Sequence, residues 1–175
     1  MKHPNIIKIV CHDIGRHLGC YGAKSVNSNA IDSLAKNGIL FKNSFATSPG
    51  CSPSRAAIAT GMYPHNTGVL GLAHAHFGWS LDKKINHIAK YFSKNGYASI
   101  LFGLQHVTYH EKTLGFNKIF PERPADEVLR NITKIIDNKI FKKPFYAEVN
   151  FFEPHRPFDY GCLLYTSDAA DDDRG

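Results

Sequence analysis

No apolar stretch in these 175 residues approaches the ~20 needed for a membrane-crossing helix. That excludes an α-helical membrane anchor within the sequence as written. Met1-Lys2-His3-Pro4-Asn5 runs straight into a strand-like segment, with no apolar signal core or cleavage site. The chain as written is therefore expected in the cytoplasm, or in the periplasm or secreted if its N-terminus is incomplete. Lysine and arginine form no dense block and no nucleic-acid motif is present, so a nucleic-acid partner is not expected. Neither a repeat nor a linker interrupts the sequence. Cysteine is scarce, four in all, and the spacing demands no disulfide framework.

What is present is a globular composition, 43% hydrophobic, in a length that suits one ordinary domain. The tail stands apart. Cys162-Leu163-Leu164-Tyr165-Thr166-Ser167-Asp168-Ala169-Ala170-Asp171 reads as the translation of a nucleotide string resembling a transposase-type sequencing adapter. Residues 162–175 are accordingly set aside as non-native, and residues 1–161 are taken as the N-terminal part of a catalytic domain. Removing the tail's one arginine and four aspartates from 21 basic and 15 acidic residues leaves 20 against 11. This excess suits an anionic substrate, although scattered lysines are commonly just solvated surface. Cys11, Cys20 and Cys51 remain.

Asn5 to Cys11 has the β-rich pattern of a mostly buried strand, ending on the polar pair His12-Asp13. Ser28 can cap a helix carrying Ile31, Leu34 and Ala35, which closes at Asn37-Gly38. Residues 39–45 read as a second strand. Ile85, Ile88, Ala89 and Phe92 have helical spacing, stopped at Asn95-Gly96. Tyr97 to Phe102 is a further strand; Val128, Leu129, Ile132, Ile135 and Ile136 mark an amphipathic helix. Phe145 to Phe152 is a last strand, ending at Glu153-Pro154-His155. Strands alternating with helices predict an α/β fold, a mostly parallel sheet covered on both faces. Residues 63–81 form a long loop rich in glycine and histidine.

The most informative run is Cys51-Ser52-Pro53-Ser54-Arg55. Ser52 reads as an N-cap and Pro53 as the first helical residue, where its missing N–H costs nothing. A helix through Ala56, Ala57, Ile58 and Ala59 then stops near Gly61. Cys51 thus lies at the positive end of a helix beside Arg55, which makes an anion site with a nucleophile at its mouth. A lone Cys-x-x-x-Arg is otherwise ordinary. A cysteine-dependent tyrosine phosphatase needs a longer loop between the two residues.

These five residues resemble the C-x-P-S-R signature of the type I sulfatases. Pro4-Asn5-Ile6-Ile7, Leu18-Gly19-Cys20-Tyr21-Gly22, Ile31-Asp32-Ser33-Leu34-Ala35 and Thr60-Gly61-Met62-Tyr63-Pro64-His65 are similar to that family too. Gly71-Leu72-Ala73-His74 and Pro154-His155-Arg156-Pro157 place the likeness nearest the bacterial sulfatases similar to heparan N-sulfatase.

The resemblance implies an alkaline-phosphatase-like fold. It also implies hydrolysis of a small-molecule or saccharide sulfate ester, or a sulfamate. It further implies Ca2+ and a formylglycine (3-oxoalanine) made from Cys51 by a maturase. By the same resemblance Arg55 holds the modified residue, His106 and His155 act at the substrate, and Asp13 with modified Cys51 binds the metal.

Two departures stand out. His12 replaces the first of the family's paired aspartates; it is a poor calcium ligand and is expected to hydrogen bond near the site. Leu104, in Gly103-Leu104-Gln105-His106, replaces the sulfate-contacting lysine. His65, His74, His76 and His110 have no assigned role. The alternatives are a phosphonate or phosphate monoester hydrolase of the same superfamily, and an inactive truncated protein.

Overall fold

The computed structural model describes residues 3–73, 78–138 and 143–155. The tail assigned to an adapter lies outside the described residues, as do His74, His76 and Arg156. Two compact units divide the chain: one holds the residues up to Val10 with Ala46–Phe152, the other holds Cys11–Phe45 and the described residues from Glu153 on.

The first unit is built on a sheet of β1 (Ile6–Cys11), β2 (Ala98–Gly103), β3 (Lys118–Phe120) and β4 (Phe145–Phe151), in the order β1-β4-β2-β3. Its helices are α2 (Cys51–Thr60), the single-turn α3 (Pro64–Thr67), α4 (Ile88–Lys94) and α5 (Ala125–Asp137). β2 runs parallel to both β3 and β4, with Ile100 opposite Ala147 and Phe102 opposite Val149. Because side chains alternate across a strand, those four residues share one face, where Val128 and Ile135 of α5 complete a buried cluster. Tyr146 turns to the opposite face and packs with Ala89 of α4 and Tyr97; the Phe92 and Tyr146 rings stack at 4.7 Å. Helices cover both faces, as the alternation of strands and helices predicts.

Three local expectations are corrected. Residues 39–45 form no strand, and Ile39, Phe41 and Phe45 are exposed. An apolar β-rich run becomes a strand only where a neighbour pairs with its backbone, and among the described residues none does. Helix α4 starts at Ile88 rather than Ile85, because the His87 side chain caps it, Nδ1 accepting from Ala89 N–H at 3.1 Å. β3 was not anticipated; three residues are too few to show a period.

The second unit contains α1 (Asn29–Asn37). Ser28 precedes it without capping it. Its Oγ instead donates to the Asp32 carboxylate and accepts from Gly19 N–H at 2.7 Å, while Cys20 N–H donates to Asp32 Oδ1 at 2.7 Å. A Cβ on Gly19 would strike that carboxylate, so the glycine is required by close approach. Among the described residues no helix is long and apolar enough to cross a membrane.

Candidate active site

Helix α2 begins on Cys51 itself, with Gly50 as N-cap in an extended conformation and Ser54 N–H bonded back to Gly50 O at 3.0 Å. This corrects the expected cap by two residues: Ser52 is the second helical residue and Pro53 the third. Proline is still tolerated there, since the first four amides of a helix have no intrahelical partner. Ser52 is fully buried and accepts from Ala73 N–H at 2.9 Å, so it fastens the backbone at Ala73 to the start of α2; the expected 63–81 loop itself contains α3. Ala56, one turn on, packs among Val69, Leu81, Val107 and Leu114. The packing fixes the helix end and leaves Cys51 half-buried. Among the described residues Cys11, Cys20 and Cys51 are all free thiols.

Arg55 is 8% exposed, and its Nη1 donates to Leu104 O at 3.1 Å. That bond joins the cysteine helix to the turn after β2, and His106 lies in that turn. Gly103 has φ +77° and packs directly on the Asn150 carbonyl of β4. His106 is buried with φ +58°, a backbone region few side chains adopt. Gln105 holds the turn together: its Oε1 accepts from Val107 N–H at 2.6 Å and Thr108 N–H at 3.1 Å, and its Nε2 donates to Thr108 O at 2.6 Å. Sequence reading passed over Gln105 as the variable position of the signature. An amide side chain inside a glycine-led turn was the available signal.

In the second unit, Asp13 follows β1 with φ +58°, a conformation that aspartate adopts more readily than most residues. His12 N–H donates to Glu153 O at 3.2 Å, bringing the residues after β4 against those after β1. His12 Nδ1 then lies 2.9 Å from Asp13 Oδ1, and His155 Nε2 lies 3.8 Å from Asp13 Oδ2. The two imidazoles meet edge to face with centroids 4.4 Å apart. The pairing of His12 with His155 had no sequence signal, because 142 residues separate them.

The donors gathered at Asp13 are thus one carboxylate and two imidazoles, within 4.8 Å of one another. Calcium takes six to eight oxygens. Among the described residues this set does not make a calcium cage.

A family model described as Sulfatase matches residues 4–174. The chain belongs to the sulfatase family. N-sulphoglucosamine sulphohydrolase of Homo sapiens is 29% identical over 160 residues, 87% of this chain and 32% of that protein. Among solved structures, Ps i-CgsB in complex with k-i-k-neocarrahexaose superposes with a TM-score of 0.75 at 23% identity, over 89% of this chain and 46% of that one. The phosphonate monoester hydrolase of Agrobacterium radiobacter gives a TM-score of 0.71 at 23% identity, over 89% and 42%. At such identities the structures speak for the fold alone, which is the alkaline-phosphatase-like architecture of the sulfatases. The chain spans about a third of the curated relative's length.

Proposed function

We propose that this sulfatase-family chain supplies the nucleophile and anion-binding end of a sulfuric ester hydrolase. The observation that carries the reading is Cys51 at the first position of α2, with Arg55 one turn on and tied to the turn that bears His106. The positive end of the α2 dipole and the Arg55 guanidinium put positive charge where a sulfate group would enter. Once oxidised to formylglycine by a maturase, Cys51 would supply a hydrated aldehyde that attacks sulfur and then expels sulfate, an exit a plain thiol lacks. The buried His106 is suited to hold a sulfate oxygen. His155, beside Asp13, is suited to protonate the leaving oxygen or nitrogen. Asp13 would offer calcium one carboxylate among the described residues of this cluster, and no step is assigned to the ion.

The names of the relatives favour a sulfated saccharide as substrate. Phosphonate ester hydrolysis is the second reading, favoured by the fold shared with the phosphonate monoester hydrolase. Co-expression with a formylglycine-generating maturase, followed by mass spectrometry of the Cys51 peptide, tests the nucleophile. The aldehyde mass is expected, and a thiol that stays unmodified would defeat the reading. Paired sulfate and phosphonate ester assays then choose between the substrates, with the sulfate ester expected to turn over faster.

A further inference from the structure

We infer that Trp79 is a stacking platform for a sugar ring of the substrate, outside the pocket that takes the sulfate. The inference deepens the sulfatase reading by naming how a saccharide is held, and rests on it for the kind of ligand. Trp79 is the chain's one tryptophan, and it takes no part in the hydrolysis itself. It is 36% exposed, although tryptophan is on average highly buried. A pyranose ring presents C–H groups on its face, and their partial positive charge suits the negative face of an indole. Binding sites commonly join such an aromatic surface to a few charged groups, and here Arg55 and the start of α2 supply the charge.

The indole is held by its edge. A Cβ on Gly71 would come 2.5 Å from Trp79 Nε1 and 2.7 Å from Cδ1, but 3.5 Å from Cε2. That order of distances sets the Nε1–Cδ1 edge, not a flat face, against the Gly71 backbone. Both sides of this contact are tied to the candidate active site. Two residues beyond Gly71, Ala73 N–H donates to Ser52 Oγ at 2.9 Å, next to Cys51. Beside Trp79, Ser80 Oγ and Thr108 Oγ1 share a hydrogen bond at 2.7 Å, and Leu81 N–H donates to Val107 O at 2.9 Å. Val107 and Thr108 directly follow His106, and the Gln105 amide holds both. Two residues span at most about 7 Å, so the indole edge lies within roughly 15 Å of Ser52. That is within reach of a saccharide whose sulfate is bound at Cys51.

The test uses the intact 175-residue chain with Cys51 unoxidised, in which Trp79 is the only source of indole fluorescence. The probes are a heparin-derived tetrasaccharide, a carrageenan-derived tetrasaccharide and inorganic sulfate. At least one tetrasaccharide is expected to shift the emission to shorter wavelength and shield it from acrylamide; inorganic sulfate should do neither. Trp79→Ala should weaken that tetrasaccharide at least about tenfold while inorganic sulfate binds as before, and Trp79→Phe should recover part of the loss. Neither substitution alters the charge of the chain, so the loss reads stacking and not electrostatics. Should Trp79→Ala misfold, the fluorescence of the unaltered chain still decides. Emission unmoved by both tetrasaccharides, or tetrasaccharide binding untouched by Trp79→Ala, would overturn the inference. A tetrasaccharide stacked on Trp79 in a chain whose Cys51 never yields the aldehyde would sink the hydrolase reading and leave the platform standing. Formylglycine and sulfate binding present, with Trp79 indifferent to both sugars, would do the reverse.

Discussion

Lys8 and Glu148 form an ion pair across the neighbouring strands β1 and β4, Nζ to Oε2 at 2.7 Å. Glu148 is 4% exposed and also accepts from Tyr146 OH at 2.9 Å and Asn150 Nδ2 at 3.1 Å. Burial alone would raise its pKa, but the charges of Lys8 and His87 and the hydrogen bonds from Lys8 and Asn150 outweigh burial and lower it. Lys8→Met would leave a buried carboxylate without its counter-charge, at a cost on the order of 3 kcal/mol. A drop in the urea midpoint would register it. Lys8→Met combined with Glu148→Gln should recover part of the loss, since the uncompensated charge is then gone. An unchanged midpoint in Lys8→Met would show that Glu148 gains nothing from the pair.

Acid sensitivity follows from His87, on the same face of the sheet. Burial holds His87 down, from 6.5 to about 4; Glu148 pulls it upward and Lys8 pushes it down further. A histidine depressed in the folded state binds its proton less readily than in the unfolded chain, so stability is full above pH 6.5 and falls as pH drops toward 4. The full loss is on the order of 3 kcal/mol. Protonation also removes the Nδ1 lone pair that accepts from Ala89 N–H and caps α4. Glu148 acts in the same direction at lower pH, because a lowered carboxylate pKa gives stability that is lost on protonation. His87→Asn keeps a capping oxygen without titrating. Its melting temperature should vary less over that pH window than the parent's; equal slopes would rule His87 out as the acid-sensitive group.

Gly103→Ala should disrupt the turn that presents His106. At φ +77° an added Cβ is strained, and it would also strike the Asn150 carbonyl on β4, with Val128 Cγ2 only 3.4 Å away. Backbone cannot yield as a flexible side chain can, so a loss of at least about 2 kcal/mol is expected, at the upper end of ordinary point mutants. Thermal unfolding measures it. A variant as stable as the parent would mean that the strands separate easily here.

The parallel sheet and α5 were legible from their apolar patterning, and the helix after Cys51 from its proline, its alanine run and the glycine that stops it. Residues 39–45 were misread for the complementary reason: composition favours β structure, but a strand exists only with a partner, and pairing is not written locally. His87 and Ser52 show the same limit. Each is polar beside an apolar run, and sequence cannot tell a solvated side chain from one bonded to Ala89 or Ala73. Within the candidate site, Cys51, Arg55 and Asp13 could be singled out in the sequence by their chemistry alone. The role of Gln105 as a turn staple and the meeting of His12 with His155 depend on tertiary contacts, and no spacing rule anticipates those.

Arg55→Lys separates charge from geometry at the cysteine helix. The guanidinium is planar with several donors, so Nη1 can hold the Leu104 carbonyl while other N–H groups remain directed elsewhere. A lysine at 55 keeps the positive charge but offers a single nitrogen, which cannot hold that carbonyl and clamp an anion bidentately at once. Leu104 stands where the family signature has a lysine, so no compensating ammonium is present at that position. Inorganic sulfate should bind the variant about tenfold more weakly, equivalent to ~1.4 kcal/mol, with a further loss of about 1 kcal/mol in stability from the missing carbonyl bond. Titration calorimetry with sulfate and urea unfolding measure the two effects separately. Leu104→Lys in the Arg55→Lys background should restore sulfate binding without restoring stability. If sulfate binds the parent and Arg55→Lys equally, Arg55 is a structural tie between α2 and the β2 turn and no part of the anion site.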